Sequence, residues 1–116
     1  MNIKFAMPKK ISTNKIYSGV HWAVRKAQAD LYHEYINAYA KEYNLEPITE
    51  YPVDIEYVFT FKGKPLDTTN ATYMAKLCED GLVKAGILKD DNPDHVQYTG
   101  IYCQSADEDK IEIIIT

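Results

Sequence analysis

The stretch from Asp67 to Asp91 carries the residue types that phosphodiester chemistry needs. Cutting a phosphodiester requires an activated water, neutralisation of charge on the phosphorus and help for the leaving oxygen, and Mg²⁺ held by carboxylates supplies all three. Lys76 and Asp80 are four residues apart, which places them on one face of a helix. A lysine there can clamp the charge of a phosphate. Residue types and spacing therefore indicate a metal-dependent phosphodiesterase.

The carboxylates of this predicted site lie at both ends of the helix that carries Lys76. Asp67 precedes the helix, whereas Asp90 and Asp91 follow it. About fifteen helical residues separate the two ends, which is roughly 22 Å at ~1.5 Å per residue. The two groups can therefore meet only if the chain after Gly86 turns back along the helix.

Each of these residues also has a plain structural interpretation. Asp67 is a common turn former in the segment Pro-Leu-Asp-Thr-Thr. Lys76 and Asp80 can form an ordinary surface ion pair worth roughly 0.2–0.5 kcal/mol. Asp90 and Asp91, followed by Asn-Pro, have the composition of a solvated turn. The histidines have no metal-site spacing, so the functional interpretation depends on the joint match of types and spacing.

The elements that must position these residues follow an alternation of strands and helices. Strands are predicted at 2–7 and 53–61 and then at 95–103 and 110–116, the last two joined in a hairpin by the acidic turn 104–109. Helices are predicted from 20 to 43 and from about Asn70–Thr72, where either side chain can cap the helix, to Gly86. The order β-α-β-α-β-β predicts one α+β domain, residues 1–116, with two main helices packed on a mixed sheet.

The first helix has two candidate faces. A predicted apolar stripe consists of Val20, Val24, Ala27, Leu31, Tyr35 and Ala38. A row of tyrosines follows a similar spacing, at Tyr32, Tyr35, Tyr39 and Tyr43. Such rings can stack on bases, but we expect them to pack the helix on the sheet with their hydroxyls toward water. The turn-rich, lysine-rich segment 8–19 before this helix is expected to be an exposed basic loop.

Composition and charge narrow the class of protein. The net charge is −4, but residues 1–46 carry seven basic and four acidic residues, whereas residues 47–116 carry six and thirteen. That asymmetry suits an enzyme that collects phosphate at one place and metal at another, and it also suits a plain uneven surface. No apolar run reaches the roughly 20 residues of a membrane span, and the first residues lack a signal-peptide pattern. We expect a cytoplasmic protein with Cys78 and Cys103 reduced and buried.

Residues 66–96 resemble the core of the RusA family, Holliday-junction resolvases common in phages and prophages. The pattern of that family is Asp-x-Asp-Asn-Leu-x-Lys, an Asp four residues later, a Leu, and an Asp-Asp pair. The matching residues are Lys76, Asp80, Leu82, Asp90 and Asp91. The segment Met-Pro-Lys-Lys-Ile-Ser-Thr-Asn-Lys-Ile-Tyr, with Asn14, is similar to the opening loop of the family. The resemblance is strong in 66–96 and weaker in 1–61.

The first aspartates of the family pattern are altered in this chain. Counted back from Lys76 without a gap, Asn70 and Thr72 occupy the two aspartate positions. With three extra residues before the lysine, Asp67 takes the first aspartate and Asn70 the asparagine, and we favour this alignment because it keeps a carboxylate. The resemblance then implies Asp67, Asp90 and Asp91 as Mg²⁺ (or Mn²⁺) ligands and Lys76 as the phosphate clamp. It implies supporting roles for Asn70 and Asp80.

The resemblance also implies partners. DNA phosphates would be contacted by Lys9, Lys10, Asn14, Lys15, Arg25 and Lys26. A homodimer is implied because the two strands of a four-way junction are cut symmetrically. Three functions follow as hypotheses: a Mg²⁺-dependent junction endonuclease in a bacterial host cell, a cleavage-deficient junction-binding protein of the same fold, and a small phage accessory protein that binds a partner through the tyrosine-lined helix.

Overall fold

The chain forms an α+β fold in which helices pack on one mixed sheet, as the sequence predicts. The computed structural model describes residues 1–116. Its strands are β1 (Asn2–Ala6), β2 (Val53–Phe61), β3 (Val96–Ser105) and β4 (Lys110–Ile115), in the sheet order β1-β4-β2-β3. Its helices are α1 (Thr13–Tyr17), α2 (Trp22–Glu42) and α3 (Thr72–Lys84), and a 3-10 helix (Thr68–Ala71) leads into α3.

The predicted hairpin between β3 and β4 is wrong. β4 lies between β1 and β2 and pairs antiparallel with both, while β3 pairs parallel with β2 on the other side. The turn before β4 crosses the end of β2, where the Asp109 carboxylate accepts a hydrogen bond from the Lys62 amide at 2.8 Å. Three isoleucines of β4, at positions 111, 113 and 115, are buried. In the middle of the sheet, these isoleucines have side chains of β1 on one side and of β2 on the other, so more of their apolar surface is covered than at an edge.

The strand predicted at 53–61 is confirmed, and burial alternates along it up to Phe59. Val53, Ile55, Tyr57 and Phe59 are buried, whereas Asp54 is exposed. These buried side chains face the helices together with the isoleucines of β4, and the core fills this one layer between sheet and helices. β2 therefore behaves as a central strand with one face covered.

The predicted apolar stripe of α2 is wrong. The buried residues of this helix are Gln28, Tyr32 and Ile36, whereas Val24 and Tyr35 are exposed. α2 packs mainly against α3, and a Cβ added at Gly81 of α3 would lie 2.8 Å from Ile36 Cδ1. Because α2 approaches α3 closely at Gly81, only a narrow face of α2 is buried. The residues on that face are the ones that contact α3, and they differ from the wider apolar stripe of the sequence.

The tyrosines of α2 differ in their environments, so the expectation for the whole row is only partly confirmed. Tyr32 is fully buried, and its hydroxyl donates to the Lys9 carbonyl at 2.6 Å. Tyr39 donates to the Asn2 carbonyl at 3.3 Å. Tyr43 is 58% exposed. The row therefore spans the helix from core to surface.

The segment 8–19 is not simply an exposed basic loop, contrary to expectation. It contains α1, and both Ile11 and Thr13 are buried. The Ile11 amide approaches Met74 Sδ at 3.5 Å. Apolar and hydroxyl side chains among the lysines therefore fasten this segment to the start of α3.

Both long helices end where the sequence predicts, through a residue with positive φ. Asn44 (φ 49°) follows α2, and Gly86 (φ 78°) follows α3. After α3, the Ile87 amide donates to the Leu82 carbonyl at 3.0 Å, which satisfies a carbonyl of the last turn. Glycine is suited to this position because it adopts positive φ without steric cost.

Cys78 and Cys103 are free thiols; Cys78 is buried, as predicted, and Cys103 is only partly buried. None of the helices combines the length and the apolar character that crossing a membrane would require.

Candidate active site

The start of α3 is fixed by a residue far away in sequence. Neither Asn70 nor Thr72 caps the helix with its side chain, contrary to prediction, and the N-cap residue is Ala71. Instead, buried Thr13 brings its hydroxyl within 3.0 Å of the Tyr73 amide, the Asn70 carbonyl and the Thr72 hydroxyl. α1 thereby supplies the missing cap and sets the orientation of the first turn of α3.

One polar face of α3 opens onto a cleft beside β3. Thr72, Lys76 and Glu79 recur at helical spacing and share this face. The cleft has a volume of about 190 Å³, and its other lining residues are Tyr57, Ala75, Thr99 and Ile101. Its floor is therefore the sheet, which contributes the hydroxyls of Tyr57 and Thr99, and its charged groups come from α3.

The chain after α3 does return along the helix, as the predicted site requires. Gly86 reverses the direction, and Ile87 and Leu88 are anchored in the core. The loop then brings Asp91 back, so that its Oδ2 lies 3.5 Å from Lys76 Nζ. Asp91 and Lys76, fifteen positions apart in sequence, are thus neighbours in space.

Lys76 pairs with two carboxylates. Its Nζ donates to Asp80 Oδ1 at 3.2 Å and lies 3.5 Å from Asp91 Oδ2. The hydrogen bond to Asp80, with the charges of Asp80 and Asp91, raises the pKa of Lys76 above its usual value against the opposing effect of burial. The lysine side chain is 60% exposed, so these pairs orient the ammonium and add little stability.

Glu79 is a member of the site that the sequence interpretation missed. It is partly buried in the cleft, and Tyr57 donates its phenolic hydrogen to Glu79 Oε1 at 3.1 Å. Burial raises the pKa of Glu79 most strongly, the hydrogen bond from Tyr57 opposes that rise, and the charge of Asp91 adds to it. The available signal was its spacing, since Glu79 follows Lys76 by three residues and therefore shares its face.

Asp67 and Thr72 occupy different positions relative to the cleft. Thr72 lines the cleft beside Lys76, whereas Asp67 is not one of its lining residues. Asp67 precedes the 3-10 helix and makes no capping hydrogen bond with its side chain. Its charge acts on Cys103 of β3, whose pKa is raised first by burial and then by Asp67. Of these two residues, Thr72 is the one that lies beside Lys76, and it is the ungapped alignment that places Thr72 at an aspartate position of the family pattern.

Asp90, although adjacent to Asp91, is turned toward its own loop. One oxygen accepts from the Asp91 amide at 2.7 Å and the other from Asn92 Nδ2 at 3.2 Å. The His95 side chain is also held within this loop, because its Nδ1 lies 2.7 Å from Asn92 Oδ1 and its ring packs against Tyr51. These side chains shape the loop that presents Asp91.

The predicted phosphate-contacting residues fall into two groups. Two have partners within the chain: Lys10 Nζ donates to the Lys64 carbonyl at 3.0 Å, and Lys26 pairs with Asp30 at 2.8 Å. The other four residues are exposed and make no side-chain ion pair: Lys9, Asn14, Lys15 and Arg25. Asn14 and Lys15 belong to α1, which contacts the start of α3, so a positive charge lies near the end of the cleft that Thr72 occupies.

No three His, Cys, Asp or Glu side chains gather in a group that could hold a metal ion. No protein-family model and no curated protein matches the chain. The resemblance to the RusA family therefore stays a prediction from the sequence, and the geometry around Lys76 stands beside it as a separate observation.

Proposed function

We propose that this protein is a Mg²⁺-dependent endonuclease that cuts branched DNA, with four-way junctions as its substrate and the bacterial cytoplasm as its place of action. The observation that carries the proposal is the position of Lys76. The fold places its ammonium group 3.2 Å from Asp80 Oδ1 and 3.5 Å from Asp91 Oδ2, on the rim of a cleft. A charge clamp beside hard oxygen ligands is what phosphodiester cleavage requires.

The residues around Lys76 suit Mg²⁺ by their chemistry. Mg²⁺ keeps several waters and is usually held by one or two carboxylates together with substrate phosphates. Asp91 is the predicted ligand that reaches Lys76, and the Asp80 carboxylate lies 3.2 Å from the same ammonium. Bound there, the ion would neutralise phosphate charge and lower the pKa of a coordinated water.

The other parts of the reaction fall to side chains of this chain. Lys76 would exchange its carboxylate partners for an oxygen of the scissile phosphate and stabilise the charge that develops on it. Glu79, held by Tyr57, would keep the cleft polar and fix the position of an attacking water by hydrogen bonding. The positive end of the α3 dipole, near Thr72, favours a phosphate group at the same end of the cleft.

DNA binding would come from the exposed cations of α1 and the start of α2. Lys15 and Arg25 contact backbone phosphates in this proposal, which positions the duplex without reading its sequence. A homodimer would present two clefts to the two strands of a junction.

A second candidate function is junction binding without efficient cleavage. It is favoured by Thr72, which lies in the cleft and which the ungapped alignment places at an aspartate position of the family pattern. A hydroxyl is a neutral and weaker ligand for Mg²⁺ than a carboxylate. The two candidates share the same DNA surface and differ only in catalysis.

The test uses a fluorescent four-way junction and a linear duplex of equal length. We expect salt-sensitive binding that prefers the junction in EDTA, and cleavage when Mg²⁺ or Mn²⁺ is added. Asp91→Asn is expected to abolish cleavage and to leave junction binding within about twofold, because a phosphate contact is not removed. Asp94→Asn, an exposed carboxylate in the same loop, is the matched control and should cut normally.

The outcomes separate the candidates. Junction binding without cleavage in either metal supports the second function. Cleavage that survives in Asp91→Asn contradicts the assignment of the metal site, and equal affinity for the junction and the duplex contradicts both functions.

A further inference from the structure

A second concave surface, the β1 groove, lies at the opposite edge of the sheet from the cleft. It runs between β1 and the second half of α2 and has a volume of about 510 Å³, within the usual range for binding sites. Its apolar walls are the rings of Phe5, Tyr35, Tyr39 and Tyr43 and the methyl group of Ala38. The Tyr39 and Tyr43 rings lie 4.3 Å apart, so this wall is already packed.

The edge of β1 beside this groove has free backbone groups. Met1 and Ile115 exchange both of their backbone hydrogen bonds, and the Met7 amide donates to the Asp109 carbonyl. In an antiparallel ladder the bonded residues alternate, so the odd-numbered residues of β1 face β4. The amides and carbonyls of Lys4 and Ala6 consequently point away from the sheet. An extended segment can pair with them as an additional strand.

The groove is lined by two carboxylates at a regular spacing on α2 and by Lys4 of β1, which pairs with Glu112 at 3.7 Å. Glu34 and Glu42 line the groove with Ala38 midway between them, each four residues from the next along α2. Neither glutamate takes part in an ion pair. The small side chain of Ala38 leaves space between the two charges.

We propose that the β1 groove binds an extended segment of a partner protein with the pattern basic-x-apolar-x-basic. Eight helical residues separate the glutamates by ~12 Å along the axis. Four residues of a strand span ~13.6 Å, and side chains two apart point to the same side. Two Lys or Arg residues four apart would therefore meet Glu34 and Glu42, while the apolar residue between them packs over Ala38.

A second copy of this chain does not supply such a segment. The chain has 13 Lys and Arg residues, and no two of them are four positions apart. The occupant is therefore a different protein. The inference does not depend on nuclease activity, because the groove and the cleft lie at opposite edges of the sheet.

The test compares two fluorescent peptides of equal composition. The first is Thr-Lys-Thr-Val-Thr-Lys-Thr, and the second places the two lysines side by side, as Thr-Lys-Lys-Val-Thr-Thr-Thr. We expect the first to bind about threefold more tightly by fluorescence anisotropy, since the second keeps one lysine two positions before the valine and loses one of the two exposed ion pairs, each worth a factor of about three. The double variant Glu34→Gln, Glu42→Gln should remove that preference.

Two variants test the groove and the strand edge separately. Ala38→Arg fills the groove and should lower affinity at least tenfold, whereas Ala27→Arg, an exposed position on the same helix, should not. Lys4→Pro removes one outward amide and should weaken binding relative to Lys4→Ala, which loses the same side chain from the groove but retains the amide. A thermal melt checks that each variant is folded.

Each outcome bears on the proposal. Equal binding of the two peptides, or full binding by Ala38→Arg, overturns it. A dimer on gel filtration that Ala38→Arg disrupts, with neither peptide bound, also overturns it and assigns the groove to a contact between copies. Cleavage activity plays no part in these readouts, so failure of the proposed endonuclease function would be seen separately.

Discussion

The cleft beside α3 and the β1 groove lie at opposite edges of one sheet. They differ in whether their carboxylate side chains have partners within the chain. In the cleft, Lys76 is paired with Asp80 and Asp91, and Glu79 accepts a hydrogen bond from Tyr57. In the groove, Glu34 and Glu42 have no ion-pair partner, and the adjacent strand edge has open backbone groups.

This difference shows what each surface is suited to do. Polar groups held in place before a ligand arrives need little reorganisation when charge develops, which favours chemistry. Unpaired charges beside an apolar wall gain a partner only on binding, which favours recognition of a flexible segment. The same small sheet thus offers one edge for catalysis and one for association.

The largest expected effect separates the two surfaces by activity. Lys76→Met should lower junction cleavage by about 10²–10³-fold, because a preorganised charge that faces the phosphate is lost. Peptide binding in the β1 groove should not change. Single-turnover cleavage and anisotropy, measured on the same preparation, check both. Lys84→Met on the exposed side of α3 is the control, and an equal loss in that variant would contradict a specific role for Lys76.

A smaller effect is expected from the remote cap of α3. Thr13→Ala removes the hydroxyl bonded to the Tyr73 amide and should lower the free energy of unfolding by about 1–2 kcal/mol. Cleavage should fall with it because Thr72 and Lys76 depend on that first turn, while the groove stays intact. Urea denaturation measures the stability. Thr13→Ser keeps the hydroxyl and should retain most of it; a loss as large as that of alanine would argue against the cap.

The smallest expected effect is a change in pH dependence. The pKa of Glu79 is raised above its ordinary value of 4.5, so the folded state binds more protons than the unfolded state just above that pH. The stability of the wild type should therefore fall as pH rises through this window, and Glu79→Gln should remove that fall. Thermal melts at closely spaced pH values compare the two. A wild type that gains stability relative to Glu79→Gln over the same window would contradict the raised pKa.

Several parts of the site could be predicted from sequence because they depend on local spacing. Lys76 and Asp80 share a helix face in any regular helix. Gly86 ends α3 because few residues other than glycine adopt positive φ at low cost. The resemblance of residues 66–96 named Asp91 as a metal ligand, and the fold brings its carboxylate to 3.5 Å from Lys76 Nζ.

Other parts depended on contacts that spacing cannot reveal. The cap from Thr13 comes from a residue 60 positions before the amide that it binds. The buried face of α2 was misjudged because packing against Gly81 outweighed the wider apolar pattern. Glu79 was missed because its partner, Tyr57, lies on a different element, and a polar helix face alone does not show which sheet it meets.

The sequence by itself determined the strands, the two long helices and the positions where those helices stop, because hydrophobic period and turn residues act over a few positions. Only the tertiary structure decided that β4 enters the middle of the sheet, since burying its isoleucines requires strands far away in sequence. That choice leaves β1 and β3 as the two edges. The cleft and the groove both follow from it, because each lies where a helix meets an edge strand.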